Sequence, residues 1–291
     1  AHCPGLPRKS GGMTALPRVL AMTPAYNGEE FLQRTLESLA AQTYPALRVL
    51  IADDASTDAT ADIAEAHVRR DSRFSLVRRS TNLGWTGNTN AMLKDARGQA
   101  EYMLFAFHDD VLFPDYVARL AARLDSQPDA VLAFSDAELR FEDQAPQTAA
   151  FTRLEQVTSA RARTAIMARM PENWWIPAHG MFRASAAETI GSLKRSRRGE
   201  VMADWPWLVR LASIGAFVRE PDILTRKYFR KSSVSGIWRH DADAYRAVAA
   251  TVAKEIRASD LPPQDKAVAL ACLARFYAYW LVHKGPGDDQ G

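Results

Sequence analysis

The chain predicts an α/β fold: a mostly parallel sheet flanked by helices, with a helical extension at its C-terminal end. Three observations predict it. Short apolar runs at residues 19–22, 47–52, 74–77, 102–107 and 131–134 alternate with stretches of helical spacing, the pattern of βαβ units. These runs are continuous rather than alternating, as strands buried on both faces are. Three of them end in polar, carboxylate-bearing turns, which a parallel sheet delivers to the edge where open α/β sheets bind ligands.

Residues 1–16, rich in Pro, Gly, Arg and Lys without an apolar stretch, read as a disordered lead-in and not as a secretory signal. The first strand, 19–22, runs into the turn Thr23-Pro24-Ala25-Tyr26-Asn27-Gly28. Glu29 and Glu30 then give a helix its acidic first turn, and Phe31, Leu32, Leu36 and Leu39 recur at helical spacing. The second strand, 47–52, closes on Asp53-Asp54-Ala55-Ser56-Thr57-Asp58, before a helix over 59–70 and a third strand at 74–77. Asn82 to Asn88 form a loop leading into a helix through Ala96. The apolar run 102–107 stops abruptly at His108-Asp109-Asp110; a further apolar triplet follows, and Pro114 suits the first turn of a helix to Leu124.

A strand at 131–134 ends at Ser135-Asp136, where the rhythm breaks. Residues 137–175 carry no clear alternation. Helices are expected at 184–190 and 202–214, a short strand or strand pair at 217–224, and a basic, Ser-rich mobile loop at 226–240. Two helices broken at Leu261-Pro262-Pro263 complete the chain before a Gly-rich tail. The expected organisation is therefore 1–16 as lead-in, 17–136 and 137–240 as two halves of one α/β domain, and 241–291 as helical extension and tail.

Composition bounds the function classes. With 291 residues, 47% hydrophobic and 24% charged, the chain reads as a soluble globular protein. Its net charge of +3 is no argument for nucleic acid. Between residues 190 and 240, however, eleven Lys or Arg stand against four acids, a face suited to a diphosphate, an anionic acceptor or a membrane surface, or simply a solvated basic face. Two cysteines, Cys3 and Cys272, give neither a disulfide framework nor a Cys-based metal site, and a reducing, cytoplasmic setting fits. The most apolar segment, 267–282, is interrupted by Arg275, so no membrane span is expected.

The chemistry gathers at the strand ends. Adjacent carboxylates such as Asp109 and Asp110 repel one another, and a divalent metal (Mg²⁺ or Mn²⁺) carrying a phosphate would relieve them. A solvated turn with helix-capping acids fits the pair equally well. No G-x-G-x-x-G follows the first strand and no P-loop is present, which removes the commonest dinucleotide and ATP signatures. Asp204, beside Trp205 and Trp207 at a helix start, reads as a carboxylate shielded by aromatics and raised in pKa toward a useful base. Its plainer reading is a helix cap followed by core tryptophans.

The blocks TPAYNGEEFLQRTLESLAAQTYPALRVLIADDASTDAT, NLGWTGNTNAML, HDDVLFPDY and ADWPWLVRLASIG, in that order, resemble the family 2 glycosyltransferases over residues 17–238. The resemblance implies a GT-A fold, with a nucleotide-sugar half and an acceptor half. It implies a metal-dependent, inverting transfer of a single sugar from a UDP- or dTDP-linked donor to an acceptor hydroxyl, in glycan, polysaccharide or glycoconjugate biosynthesis. It places Pro24, Ala25, Tyr26, Glu30, Asp53, Asp54, Asn82, Gly87 and Asp109 around the nucleotide, Asp110 with Asp109 at the metal, and Asp204 as general base. Weaker acceptor or phosphate contacts fall to His179, Trp174, Trp175, Trp205, Arg230, Ser233 and Trp238. Two positions depart from the family pattern: Phe107 stands where the first acid of the D-x-D motif is expected, and Ala203 replaces the acid before the base. The processive Q-x-x-R-W motif is absent, which implies one sugar per encounter. A nucleotide-sugar-binding protein with a degenerate site and a nucleotidyltransferase are the rival readings, the second weakened because TPAYNGEE is not a Gly-rich, Lys-containing loop. Peripheral membrane association and a homodimer are further expectations.

Overall fold

The computed structural model describes residues 15–229 and 241–283, the last four by backbone only. A single sheet runs through the molecule. Its first half is the expected parallel one: β3 (Phe74–Arg78), β2 (Leu47–Asp53), β1 (Val19–Ala25) and β4 (Tyr102–Phe105) lie side by side in that order, all parallel. The second half is mixed. Beside β4 comes the antiparallel β8 (Met181–Arg183), then β6 (Ala130–Phe141), then β9 (Ala216–Phe229) parallel to β6, and β5 (Val111–Leu112) at the edge; β7 (Gln147–Ala149) pairs separately with β6.

Side chains alternate across this sheet and feed two cores. Val19, Ala21, Tyr102 and Leu104 face α1 (Leu32–Ala40), α2 (Thr60–Arg70) and α4 (Tyr116–Ser126), where Leu32, Leu36, Leu39, Leu120 and Leu124 are fully buried. Leu20, Met22, Met103 and Phe105 face the other side. There α3 (Gly84–Asp95), α5 (Ala160–Met167), α6 (Ala184–Ile190) and α7 (Asp204–Ile214) pack, backed by α8 (Ala242–Ala258) and α9 (Pro263–His283). Strands sandwiched in this way lose apolar area on both faces, which is why they read as unbroken apolar runs.

Several boundaries differ from the sequence expectation, each for a physical reason. The run 102–107 is strand only to Phe105, because the chain turns there to present His108 to Asp110. β6 does not stop at Asp136. Arg219 on β9 takes both of its carboxylate oxygens (Nε–Oδ1 2.7 Å, Nη2–Oδ2 2.6 Å), so the acid stays in the strand instead of ending it. Irregular register at Ser135, Asp136 and Ala137 bends the ribbon at the same point. β9 likewise continues through Phe229. The expected mobile loop is therefore strand at residues 226–229, where Arg226 sits directly opposite Glu138 and binds it at 2.6 Å. Residues 230–240, with Arg230, Ser233 and Trp238, lie outside the described residues, as do 1–14 of the lead-in. Between 137 and 175, where no pattern was legible, the chain makes β7 and α5. Among the described residues no helix is long and apolar enough to cross a membrane, and Cys272 is a free thiol.

Candidate active site

The carboxyl ends of β1 and β2 lie in register, Ala25 opposite Asp53, and the Asp54 amide donates to Ala25 O at 2.9 Å. The turns that follow are stitched together. Asn27 N donates to Ser56 Oγ, Gly28 N to Thr60 Oγ1, Glu29 N to Asp58 Oδ2, and Ala59 N to Glu29 Oε2, all within 2.7–3.1 Å. Asp53 and Asp54 are each only 2% exposed. Asp53 receives Ser56 N, and Asp54 receives Leu83 N at 2.9 Å, which draws in the loop before α3. Pro24 and Ala25 are buried, and Tyr26, 46% exposed, projects from the turn with Glu30.

Of the loop 82–88, Asn82 caps Gly84 N at 2.9 Å. A side chain at Gly87 would crowd Leu83 and Arg195, so close packing requires a glycine here. The N-terminus of α3 is taken by a protein carboxylate: Trp85 N donates to Glu200 Oε2 at 2.8 Å.

The second part of the site forms around Asp110, 2% exposed. The hydroxyl of Thr35 binds its carbonyl at 2.7 Å and fixes the turn. His179 Nδ1 lies 2.7 Å from Asp110 Oδ2. An ionised carboxylate only accepts, so Nδ1 carries the proton. His179 ends a short 3-10 turn, Ile176–His179, and Gly180 follows because a Cβ there would strike the Ala133 carbonyl of β6. The buried Tyr116 hydroxyl donates to His179 O. The remaining Asp110 oxygen, Oδ1, is buried without a hydrogen-bond partner among the described residues, and the Lys227 ammonium of β9 stands 3.7 Å from it.

Asp204 opens α7 across from this group. It is not a cap: the N-cap is Ala203, and no side-chain capping bond is made. Burial raises the Asp204 pKa, opposed by the charges of His179 and Lys227. At Asp110 burial pulls upward too, but Lys227 and then His179 outweigh it, and the pKa falls below the ordinary carboxylate range. Two acids in one field are thus pushed apart, one held ionised and one made more basic, the arrangement that separates a structural carboxylate from a proton acceptor.

A sequence model of glycosyl transferase family 2 matches residues 21–186, more than half of the chain. The chain belongs to glycosyl transferase family 2. Among curated relatives of this transferase is EpsH from Bacillus subtilis, assigned as a glycosyltransferase. It is 34% identical over 127 residues, a stretch covering 44% of this chain and 36% of EpsH. TuaG from the same organism, assigned as a glycosyltransferase of teichuronic acid biosynthesis, is 32% identical over 119 residues, 41% of this chain and 45% of TuaG. The matched stretch thus spans less than half the length of either relative.

The transferase shares its fold with S. aureus TarS 1-349 in complex with UDP-GlcNAc, at TM-score 0.73 and 18% identity over 94% of this chain and 76% of that one. The mannosyltransferase PcManGT from Pyrobaculum calidifontis, in complex with GDP-Man and Mn²⁺, gives TM-score 0.59 and 17% identity over 93% and 76%. The architecture of this family 2 transferase is therefore GT-A.

The expected metal fits these residues poorly. Phe107 offers no ligand, Asp110 Oδ2 is committed to His179, and an ion on Oδ1 at about 2.1 Å would meet the Lys227 ammonium 3.7 Å from that atom. Among the described residues no three His, Cys, Asp or Glu converge as a metal site. Asp109, half-buried in the turn, is the remaining acid of the expected pair.

The structure also sorts the aromatic residues. Trp205 is 0% exposed, donates to Met167 O at 2.8 Å and packs on Trp174 and Phe276, so it belongs to the core and not to the expected acceptor contacts. Trp175, by contrast, sets its edge against His179. The residues that the sequence reading missed are Lys227, Tyr116 and Thr35. Lys227 had left a trace as one of the eleven basic residues in 190–240, and Thr35 and Tyr116 only as unremarked members of the family blocks.

Proposed function

We propose that the protein transfers one sugar from a nucleoside diphosphate donor to an acceptor hydroxyl with inversion at the anomeric carbon. The observation that carries this reading is the pair of oppositely shifted carboxylates, Asp110 and Asp204, with His179 and Lys227 acting on both. Single displacement needs a base that is ionised yet eager for a proton, and a carboxylate whose pKa burial has raised is such a base. Asp204 takes the proton of the acceptor hydroxyl while that oxygen bonds to the anomeric carbon. The bond from that carbon to the diphosphate oxygen breaks, and the nucleoside diphosphate leaves with the electron pair. Developing charge on the diphosphate needs a positive partner in place beforehand.

Pro24, Ala25, Tyr26, Asp53 and Asp54 form the nucleoside side of the cleft in this reading, with Asn82 and Glu30 at its rim. The UDP-GlcNAc of TarS supports a uridine donor, and the teichuronic acid assignment of TuaG supports an acceptor in cell-surface glycan assembly. The test is a screen of UDP-, dTDP- and GDP-sugars for release of nucleoside diphosphate, with and without simple glycoside acceptors. Release from one donor class that rises on adding an acceptor is expected. No release from any donor, with metal present or chelated, would sink the proposal.

A further inference from the structure

Lys227 is held in a setting that an ordinary surface lysine does not have. Its side chain is 18% exposed. Its ammonium lies 5.9 Å from the ring centre of Phe107, 5.8 Å from Trp175 and 5.6 Å from Phe229, each within the range of a cation–π contact. These rings are themselves tied to the imidazole that binds Asp110: Phe107 and Trp175 meet His179 in edge contacts, and Trp175 meets Phe229 edge-on. At 3.7 Å from Asp110 Oδ1 the ammonium is paired by charge but lies beyond hydrogen-bond distance, and among the described residues Oδ1 has no hydrogen-bond partner. Its donors are therefore not spent on Asp110. Its charge is felt at Asp204 as well.

Phe107 links the two facts. It occupies the place where the family pattern expects the first metal-binding acid, and its ring forms one wall around the lysine. The exchange of a carboxylate for an aromatic face removes a metal ligand and supplies a site for an organic cation. Resting on the glycosyl-transfer reading above, we propose that the Lys227 ammonium, seated among Phe107, Trp175 and Phe229 beside Asp110, is the cation that receives the donor diphosphate, in place of a divalent metal. Lys227 contributes its N–H donors to the phosphate oxygens, and Asp110 with the three rings keeps the ammonium pointed into the cleft.

The test is calorimetric titration of the whole chain with UDP, dTDP and GDP and with the matching nucleosides, in chelator and in Mn²⁺. At least one diphosphate should bind in chelator with a dissociation constant within about threefold of that in Mn²⁺. Lys227→Met, which keeps the length and apolar stem, should weaken diphosphate binding in chelator by about tenfold or more, a change of about 1.4 kcal/mol. It should leave nucleoside binding unchanged, which shows the fold intact even where loss of the charge beside buried Asp110 lowers the melting temperature. Phe107→Asp should introduce a response to Mn²⁺. Diphosphate binding that requires Mn²⁺ in the wild type, or is equal in Lys227→Met, overturns the lysine assignment while leaving glycosyl transfer standing. Absence of binding to every diphosphate under both conditions overturns both.

Discussion

The two sides of the proposed site are built on different principles. On the side proposed for the nucleoside, the turns after β1 and β2 are tied by backbone amides reaching short polar side chains about thirty positions away, such as Gly28 N to Thr60 Oγ1 and Thr57 N to Asn27 Oδ1. On the opposite side, Asp110, His179 and Lys227 meet through their side chains alone, carried in by the turn after β4, a 3-10 turn and the far end of β9. The first side is a scaffold in which each bond is replaceable. The second is a cluster in which charge, aromatic faces and burial depend on one another, and the loss of one member alters the rest.

That contrast can be broken most directly at the base. Asp204→Asn should lower kcat by about 10²–10⁴-fold, the usual weight of a general base, with donor affinity retained; wild-type turnover would remove Asp204 from the mechanism. The same group sets a pH limb. Its folded pKa is raised by burial, so transfer should fall as pH drops through that raised value. Stability runs the other way: what the protonated acid contributes is fully present below the unfolded carboxylate pKa of about 4 and is lost as pH rises through the folded pKa. Asp204→Asn should therefore melt higher than wild type at neutral pH, by a margin that closes below about pH 4. A margin independent of pH would show that ionised Asp204 carries no desolvation cost.

Gly180→Ala tests how His179 is placed. The added methyl meets the Ala133 carbonyl, and overpacking of this kind costs about 1–3 kcal/mol. Turnover should fall along with the melting temperature, since the histidine next to it must shift; an unaltered kcat would mean that its position is not fixed by that contact. The smallest effect is expected on the scaffold side. Asn27→Gly, which suits the left-handed backbone at φ 45°, removes an exposed bond to Thr57 N and should cost about 1 kcal/mol or less, with the maximal rate kept. A loss of rate comparable to that of Gly180→Ala would erase the distinction between the two sides.

The same difference explains what the sequence disclosed. β1, β2 and their turns were legible because the pattern lies in consecutive residues: an apolar run, a polar turn, a helix-spaced stretch. The raised pKa of Asp204 was expected from the tryptophans beside it in the chain; the structure gives burial as its cause, and Trp205 serves the core. Lys227 was not legible, because its role depends on Asp110, Phe107 and Trp175, which only the folded sheet brings near. The long strands β6 and β9 were cut short on paper at Asp136 and Arg226. A charge reads as a strand end until its partner on the next strand, Arg219 or Glu138, is known.

The bond from Trp85 N to Glu200 joins residues 115 apart, and β5 completes its pairing only with β9, through Val111 opposite Arg226. Chain emerging from a ribosome up to the end of β6 would thus have made nearly all of its parallel half while α3 lacked its cap and the sheet lacked its neighbouring strand. Loop-closure entropy must be met before such distant partners reward it. The group around Asp110 is accordingly incomplete until β9, which carries Lys227, has been synthesised. A truncated chain ending in the helices before it would carry the recognisable family blocks without the lysine that faces Asp110.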